Sequence, residues 1–147
     1  MTMNQRVSMW RIALAGVVLL AASAVVAQTC NPNAQSSFTS WSANSDTVTD
    51  AATGLVWQRC AFGQGWNGST CIGTPNTSAW AAAVTGAPLG WRLPNVKELE
   101  SIVERQCAAP AMNTAAFPAA PLVNFWSSTP GWAVSFNDGS VLSGQAA

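Results

Sequence analysis

The chain has 147 residues, with six basic residues, six acidic residues and no histidine, for a formal net charge of zero. That length suits one domain. The lack of a basic excess argues against nucleic acid as a partner. The lack of histidine removes the commonest catalytic base and the commonest metal ligand.

The N-terminus has the form of a targeting segment. Arg6 and Arg11 mark a basic leader, and Ile12 to Val26 is an uncharged, mostly apolar run. That run is shorter than the roughly 20 residues a membrane helix needs. Val25-Val26-Ala27 then offers small or modest side chains before a cut at Gln28. Residues 1–27 are therefore expected to be a secretory signal peptide, with an uncleaved anchor as the alternative. The mature chain, from Gln28, would be secreted or periplasmic, with the cell surface a further destination, and not an integral membrane protein after cleavage. It would keep Arg59, Arg92, Lys97 and Arg105 against six acids. Neither a basic patch nor a polybasic membrane contact follows from such a balance.

All four cysteines lie after the leader, and an even count in an exported chain points to two disulfides. Cys60 and Cys71 flank a glycine-rich loop and are expected to pin it. Cys30 and Cys107 would then tie the mature N-terminus to the end of the amphipathic helix that follows Pro94. On the chain-entropy model these closures contribute about 3 and about 4–5 kcal/mol. Without histidine or a C-x-x-C spacing, a zinc site is not indicated.

In chain order, residues 28–45 begin as an Asn-, Ser- and Thr-rich arm, expected to be extended and irregular, with Phe38 and Trp41 tacking it to the body. Asp46–Asp50 and Leu55–Gln58 form a strand pair around the Ala51–Gly54 turn, where Gly54 can take positive φ. Gly63–Thr70 is a polar loop that presents Trp66; Asn67-Gly68-Ser69 within it matches a glycosylation pattern. Ser78 can cap a helix over Ala79–Val84, stopped by Gly86 and Pro88.

The richest stretch is Gly90–Val103. Pro94 disfavours helix at Leu93, so Trp91–Leu93 should be extended. Asn95 caps a new helix, and Glu98 stands three residues later, at the capping-box position. Val96, Leu99, Ile102 and Val103 share an apolar face and imply about three turns. Lys97, Glu100, Glu104 and Arg105 fall on the opposite, solvated side. Arg92 lies in an apolar run and is expected to pair with Glu98 as a structural ion pair, with anion recognition by its fork as the functional alternative.

Pro110–Pro121 is an irregular connector. Phe125–Ser128, Trp132–Phe136 and Ser140–Leu142 are strands, the last two joined by the Asn137-Asp138-Gly139 turn. Strands, two helices and strands again give an α+β domain with an antiparallel sheet, stapled by disulfides.

Several of these runs, Thr49-Asp50, Thr53–Gln58, Trp80, Trp91–Leu99, Phe117-Pro118, Phe125–Thr129 and Val134–Gly139, fall in the order of a known family. Over Asp46–Leu142 the chain resembles the domain at the C-terminus of the Legionella collagen-like (Lcl) adhesin, which places an Lcl C-terminal-like domain at residues 46–147. The resemblance implies a C-type lectin-like fold and a role in adhesion, in the adhesin itself to sulfated glycosaminoglycans. The acidic mature chain offers no basic groove for sulfate groups, and it lacks the collagen-like repeat. Family members usually continue into one more strand. Here either another strand takes its place, or the copy is truncated and its neighbours' backbone groups lose partners.

For chemistry, the acids are Asp46, Asp50, Glu98, Glu100, Glu104 and Asp138. No spacing sets two of them across a cleft, so no enzyme is expected. Trp57, Trp80, Trp91 and Trp126 sit in patterned elements and read as core, whereas Trp66 and Trp132 follow turn residues and can stack on a sugar face. Ligand-binding candidates are therefore Trp66, Asn67, Asn124, Trp132, Asn137 and Asp138. Trp91, Arg92, Pro94, Asn95 and Glu98 are assigned to the scaffold. No cofactor is expected. Asn124, Asn137 and Asp138 could supply oxygen donors to Ca2+, but the Glu-Pro-Asn sugar motif of such lectins is absent. A glycan-binding adhesion module leads, with a structural or assembly component that binds a cell-envelope protein as the alternative.

Overall fold

The computed structural model describes residues 6–12, 27–31 and 41–145. In chain order the strands before the first helix are β1 (Arg6–Val7), β2 (Trp10–Ile12), β3 (Thr29–Cys30), β4 (Trp41–Asn44), β5 (Thr47–Asp50), β6 (Val56–Gln58), β7 (Gly65–Trp66), β8 (Cys71–Ile72) and β9 (Thr77–Ser78). Two short helices follow, α1 (Trp80–Thr85) and α2 (Val96–Ser101). The chain then adds β10 (Cys107–Ala108), β11 (Asn124–Trp126), β12 (Trp132–Ser135) and β13 (Val141–Ser143).

The strands do not form one antiparallel sheet. They make a four-stranded sheet in the order β1-β6-β5-β4, a five-stranded sheet in the order β13-β12-β11-β2-β9, and two two-stranded ribbons, β3/β10 and β7/β8. Antiparallel pairing dominates, but β1 runs parallel to β6 and β2 parallel to β9. Both parallel contacts come from residues 6–12, the segment read from sequence as the front of a leader; the apolar run over 13–26, like Phe38, lies outside the described residues. No helix among the described residues is long and apolar enough to cross a membrane.

Much of the architecture follows from local chemistry. Asp50 accepts from Ala52 N at 3.0 Å and Thr53 Oγ1 at 2.6 Å, which closes the turn between β5 and β6. On the other side of β5, Trp41–Asn44 is a strand rather than an irregular arm. The short turn at Ser45 and Asp46 lets it pair residue for residue with Thr47–Asp50. Both expected disulfides are present, Cys30–Cys107 and Cys60–Cys71.

The two helices depart from their sequence patterns. Ser78 does not cap α1. It belongs to β9, and Ala79 takes the cap position without a side-chain hydrogen bond. Helix α2 spans six residues instead of about three turns, because Val103 leaves the helical path to bridge Met112. Glu104 N then bonds Ala111 O, and the Glu104 side chain turns inward to 2% exposure, away from the solvated face expected of it. Glu100 stays outside, where Lys97 and Arg105 each reach it at 2.9 Å.

One core unites these pieces. Val7, Met9, Val48, Trp57, Leu99, Ile102, Met112, Phe117, Phe125, Val134 and Phe136 are all buried together. Trp57 meets Phe117 edge-on, and Phe125 meets Phe136 at a centroid distance of 5.2 Å. A smaller cluster of Ala83, Leu93, Trp126 and Ala133 lies under α1. Trp57 and Trp126 are thus core residues, whereas Trp80 and Trp91 remain partly exposed.

Gly139 ends the turn before β13 with φ +79°, and a Cβ there would lie 2.7 Å from Val103 Cγ1. Gly139→Ala therefore combines backbone strain with a clash against the exit of α2. The expected loss is about 2–4 kcal/mol of unfolding free energy, measured by urea denaturation with the m-value unchanged.

Candidate functional site

The sequence candidates separate into three places. Asn124 pairs with Ser135, near the end of β12 that leads into Asn137 and Asp138. Trp132 starts the same strand, paired with Ser143 and 39% exposed. Trp66 lies elsewhere, on the β7/β8 ribbon. Asn67 closes its own loop: its Oδ1 accepts from Ser69 N, Ser69 Oγ and Thr70 N at 2.9–3.1 Å. Asp138 is occupied in a similar way. Its Oδ1 accepts from Ser140 N at 3.1 Å and Ser140 Oγ at 2.8 Å, and these bonds hold its carboxyl below the usual range. Among the described residues, no group of three or more Cys, Asp or Glu side chains is gathered as a metal site.

One cavity that carries a sequence candidate is at Trp66. A cleft of about 380 Å³ is bordered by Ser45, Asp46, Gln58, Gln64, Trp66 and Pro88. A second hollow of about 420 Å³ shares Ser45, Asp46 and Gln58 and reaches Arg6, Thr49 and Trp91. The shared wall joins the two into one trough, with Trp66 towards one end and Trp91 towards the other. Its floor comes from the ends of β4, β5 and β6, where a tight turn brings Asp46 beside Gln58. Trp91, assigned to the scaffold from its sequence context, is half-buried and lines this trough.

Arg59 organises the end of the trough near Trp66. Its guanidinium sits 4.2 Å from the centroid of the Trp66 ring. Its donors go to three carbonyls: Nε to Ala116 O at 3.0 Å, one terminal nitrogen to Ser45 O at 3.2 Å, the other to Ala115 O at 2.8 Å. The same side chain therefore fixes the Ser45 turn and one face of the Trp66 ring. The Cys60–Cys71 bridge closes the base of the ribbon. Gly63 allows the close approach of the segment that leads into β9, since a Cβ there would lie 2.6 Å from Asn76 N.

Trp91 is held by the scaffold next to it. The Arg92 fork meets Glu98 through two bonds of 2.7 and 2.6 Å, and Glu98 also accepts from Asn95 N at 2.8 Å. Asn95 Oδ1 returns a bond to Glu98 N, which completes the capping box. Pro94 is fully buried, and its carbonyl accepts from Ser128 N at 2.7 Å. Burial would raise the Glu98 pKa; the hydrogen bonds from Arg92 and Asn95 and the charge of Arg92 outweigh it, and the net shift is downward.

Sequence reasoning passed over Asp46, Gln58, Gln64 and Arg59 as site residues. The only local sign was that Asp46 and Gln58 stand at facing ends of a strand pair. It also missed a smaller recess of about 260 Å³ beside the Cys30–Cys107 bridge, where buried Glu104 lies with Gln28, Asn31 and Asn113. Gln28 is anchored there by bonds to Pro110 O and Met112 O.

Taken together, fold and site define an α+β, disulfide-stapled module with an open polar trough flanked by tryptophans. The model of the Lcl C-terminal domain matches residues 46–147, and the chain belongs to that family. No curated protein and no solved structure matches the chain.

Two outcomes test this geometry. Arg59→Lys keeps the charge but loses the fork. It should cost about 1–2 kcal/mol and speed amide exchange across Gly65–Ile72 while leaving β12 protected. Glu98→Gln should also destabilise by about 1–3 kcal/mol at neutral pH. Because the folded pKa of Glu98 is depressed, its contribution is full above the unfolded carboxylate value of about 4.3 and fades as pH falls through the folded value. The gap between wild type and Glu98→Gln should therefore narrow in acid, as read by thermal melts from pH 7 to pH 2.

Proposed function

We propose that the protein is a secreted, non-enzymatic binding module of C-type lectin-like type, used in adhesion, that holds a glycan in the trough between Trp66 and Trp91. The observation that carries this reading is the shared wall of Ser45, Asp46 and Gln58 between two partly exposed indoles. Indole faces match the apolar faces of pyranose rings, and carboxylate, amide and hydroxyl groups between them match sugar hydroxyls. The membership in a family named for an adhesin's C-terminal domain is compatible with this role. In the mature chain, which would lack Arg6, Asp46 is the one charged residue lining the trough, so a neutral glycan suits it better than a sulfated one.

Asp46 is the one carboxylate among the residues that line the trough. A glycosidase needs two carboxyl groups across the bond it cuts. This favours binding over hydrolysis. The alternative is an assembly component that docks on a cell-envelope protein, and the fully exposed Leu89 and the half-exposed Ile72 favour it.

The test is a glycan array probed with the full chain, repeated with Trp66→Ala and Asp46→Asn. Binding of neutral glycans, weakened about five- to tenfold by loss of the Trp66 ring and also reduced by Asp46→Asn, is the expected result. Glycan binding indifferent to both substitutions would overturn the trough as its site, and no glycan binding alongside co-purification with one envelope protein would overturn the reading in favour of the alternative.

A further inference from the structure

The segment Arg6–Ile12 is built into the fold more deeply than its leader-like composition suggests. Val7 and Ser8 are fully buried and Met9 is 2% exposed. Arg6 and Val7 run beside Val56 and Trp57, while Arg92 bonds the segment through Ser8 N to Arg92 O at 2.7 Å and Arg92 N to Arg6 O at 3.1 Å. Met9 O accepts from Phe62 N at 3.0 Å, and Ser8 Oγ donates to Gln58 Oε1 at 2.7 Å. Further on, Trp10 and Arg11 pair with Trp126 and Phe125, and Arg11 and Ile12 pair with Thr77 and Ser78. Seven residues thus supply β1 to one of the two larger sheets and β2 to the other, and so tie the two together.

The fit is uneven. The Val7–Met9 half places two apolar side chains in the core and satisfies its backbone. Around the segment, Trp57 Nε1 at the Val7 end and Arg11 Nε and Ser78 Oγ at the Arg11–Ile12 end are buried without a hydrogen-bond partner among the described residues. A buried unsatisfied polar group costs on the order of 1–3 kcal/mol. The slot therefore holds the segment by its backbone and its two apolar side chains but leaves polar side-chain atoms unpaired at both ends, so the segment can be exchanged for a better-matched strand. Sequence order supplies a route to vacancy, since the segment precedes the apolar run and the Ala27–Gln28 junction read as a cleavage site.

We propose that the slot between Val56–Trp57 with Arg92 on one side and Phe125–Trp126 on the other is a β-strand acceptor site. Its occupant is an extended peptide of apolar-small-apolar pattern, supplied in the unprocessed chain by Arg6–Ile12. Removing the leader opens the slot. Backbone ladder bonds then give affinity for an incoming strand, and the pockets of Val7 and Met9 give selectivity. An open slot exposes the backbone of β6 and β11 as sheet edges, a strong drive towards refilling.

The experiment uses the full chain with a specific protease site placed between Ala15 and Leu20. After cutting, the released N-terminal fragment should stay bound to the body through gel filtration. A labelled peptide of Gln5–Ala13 in excess should replace it, seen as a rise in fluorescence anisotropy. The same peptide with Val7→Asp and Met9→Asp should bind at least tenfold more weakly. Hydrogen exchange at Trp57, Phe125 and Trp126 should slow again as the peptide binds.

Three results would overturn the proposal: the body keeps full protection at those amides after losing the fragment; the double-Asp peptide binds as well as the native one; or the cut body unfolds and excess peptide does not restore it. In the uncut chain, Ser8→Pro removes the bond to Arg92 O. It should raise exchange at Trp57 and Phe125 by tenfold or more without changing exchange in the β3/β10 ribbon. These readouts do not involve sugars, so they stand apart from the glycan reading.

Discussion

The constraint on which the structure depends is the double engagement of Arg92. Its backbone takes part in a ladder with Arg6 and Ser8, while its guanidinium grips Glu98 through two short bonds. Glu98 in turn closes the cap on α2. A helix of six residues is far below the length at which helices are stable alone. Helix α2 persists because its first turn is fixed by Asn95, Glu98 and Arg92, and because Leu99 is fully buried. Losing either charge would leave the other half-buried without its partner, which is why the pair acts as a unit. With α2 placed, Ile102 and Val103 enter the core against Met112, and the chain is directed to Cys107 and its bridge.

Arg59 shows the other use of a guanidinium in a protein that is only 8% charged. It meets no carboxylate among the described residues. It binds three carbonyl oxygens with its edge and one indole with its face. Planar geometry permits both at once. The first arginine therefore builds scaffold and the second builds the edge of the trough. Both fix a tryptophan by fixing its neighbours: Trp91 precedes Arg92 in sequence, and Trp66 lies beneath Arg59 in space.

What could be read from the sequence was what is local. The capping box is an i, i+3 relation, and the Asp50–Gly54 and Asn137–Gly139 turns are set by a few side chains. The family is likewise carried by those short runs. What could not be read depends on partners outside the run itself. The helical pattern continues through Val103 and Glu104, but Met112 and Ala111, on the next turn of chain beyond the helix, pull those residues out of it. Ser78 has the chemistry of a cap, but strand pairing uses its backbone instead. Trp91 has the context of a core residue, and only the placement of Asp46 and Gln58 opposite it leaves one side open. The role of Val7 and Met9 was hidden most fully. Two apolar residues at alternate positions are too weak a strand signal to stand against a basic segment and an apolar run that together describe a leader.

The strand slot and the trough meet at the same residues. Ser8 Oγ donates to Gln58 Oε1, in the shared wall of the trough, and the Arg6 guanidinium lies 5.6 Å from the centroid of the Trp91 ring. With Arg6–Ile12 in place, part of the hydrogen-bonding capacity of Gln58 and one approach to Trp91 are taken. With the segment gone, both return to solvent and to any ligand in the trough. A ligand that uses Gln58 and Trp91 would then favour the open slot, and a strand in the slot would disfavour that ligand by the same factor, since coupling between two sites is reciprocal. The size of that factor is bounded by what is shared, one side-chain hydrogen bond and one exposed cation–π contact. Each is worth on the order of 1 kcal/mol, so the two sites would shift each other's affinity by roughly ten- to thirtyfold and not act as an all-or-none switch.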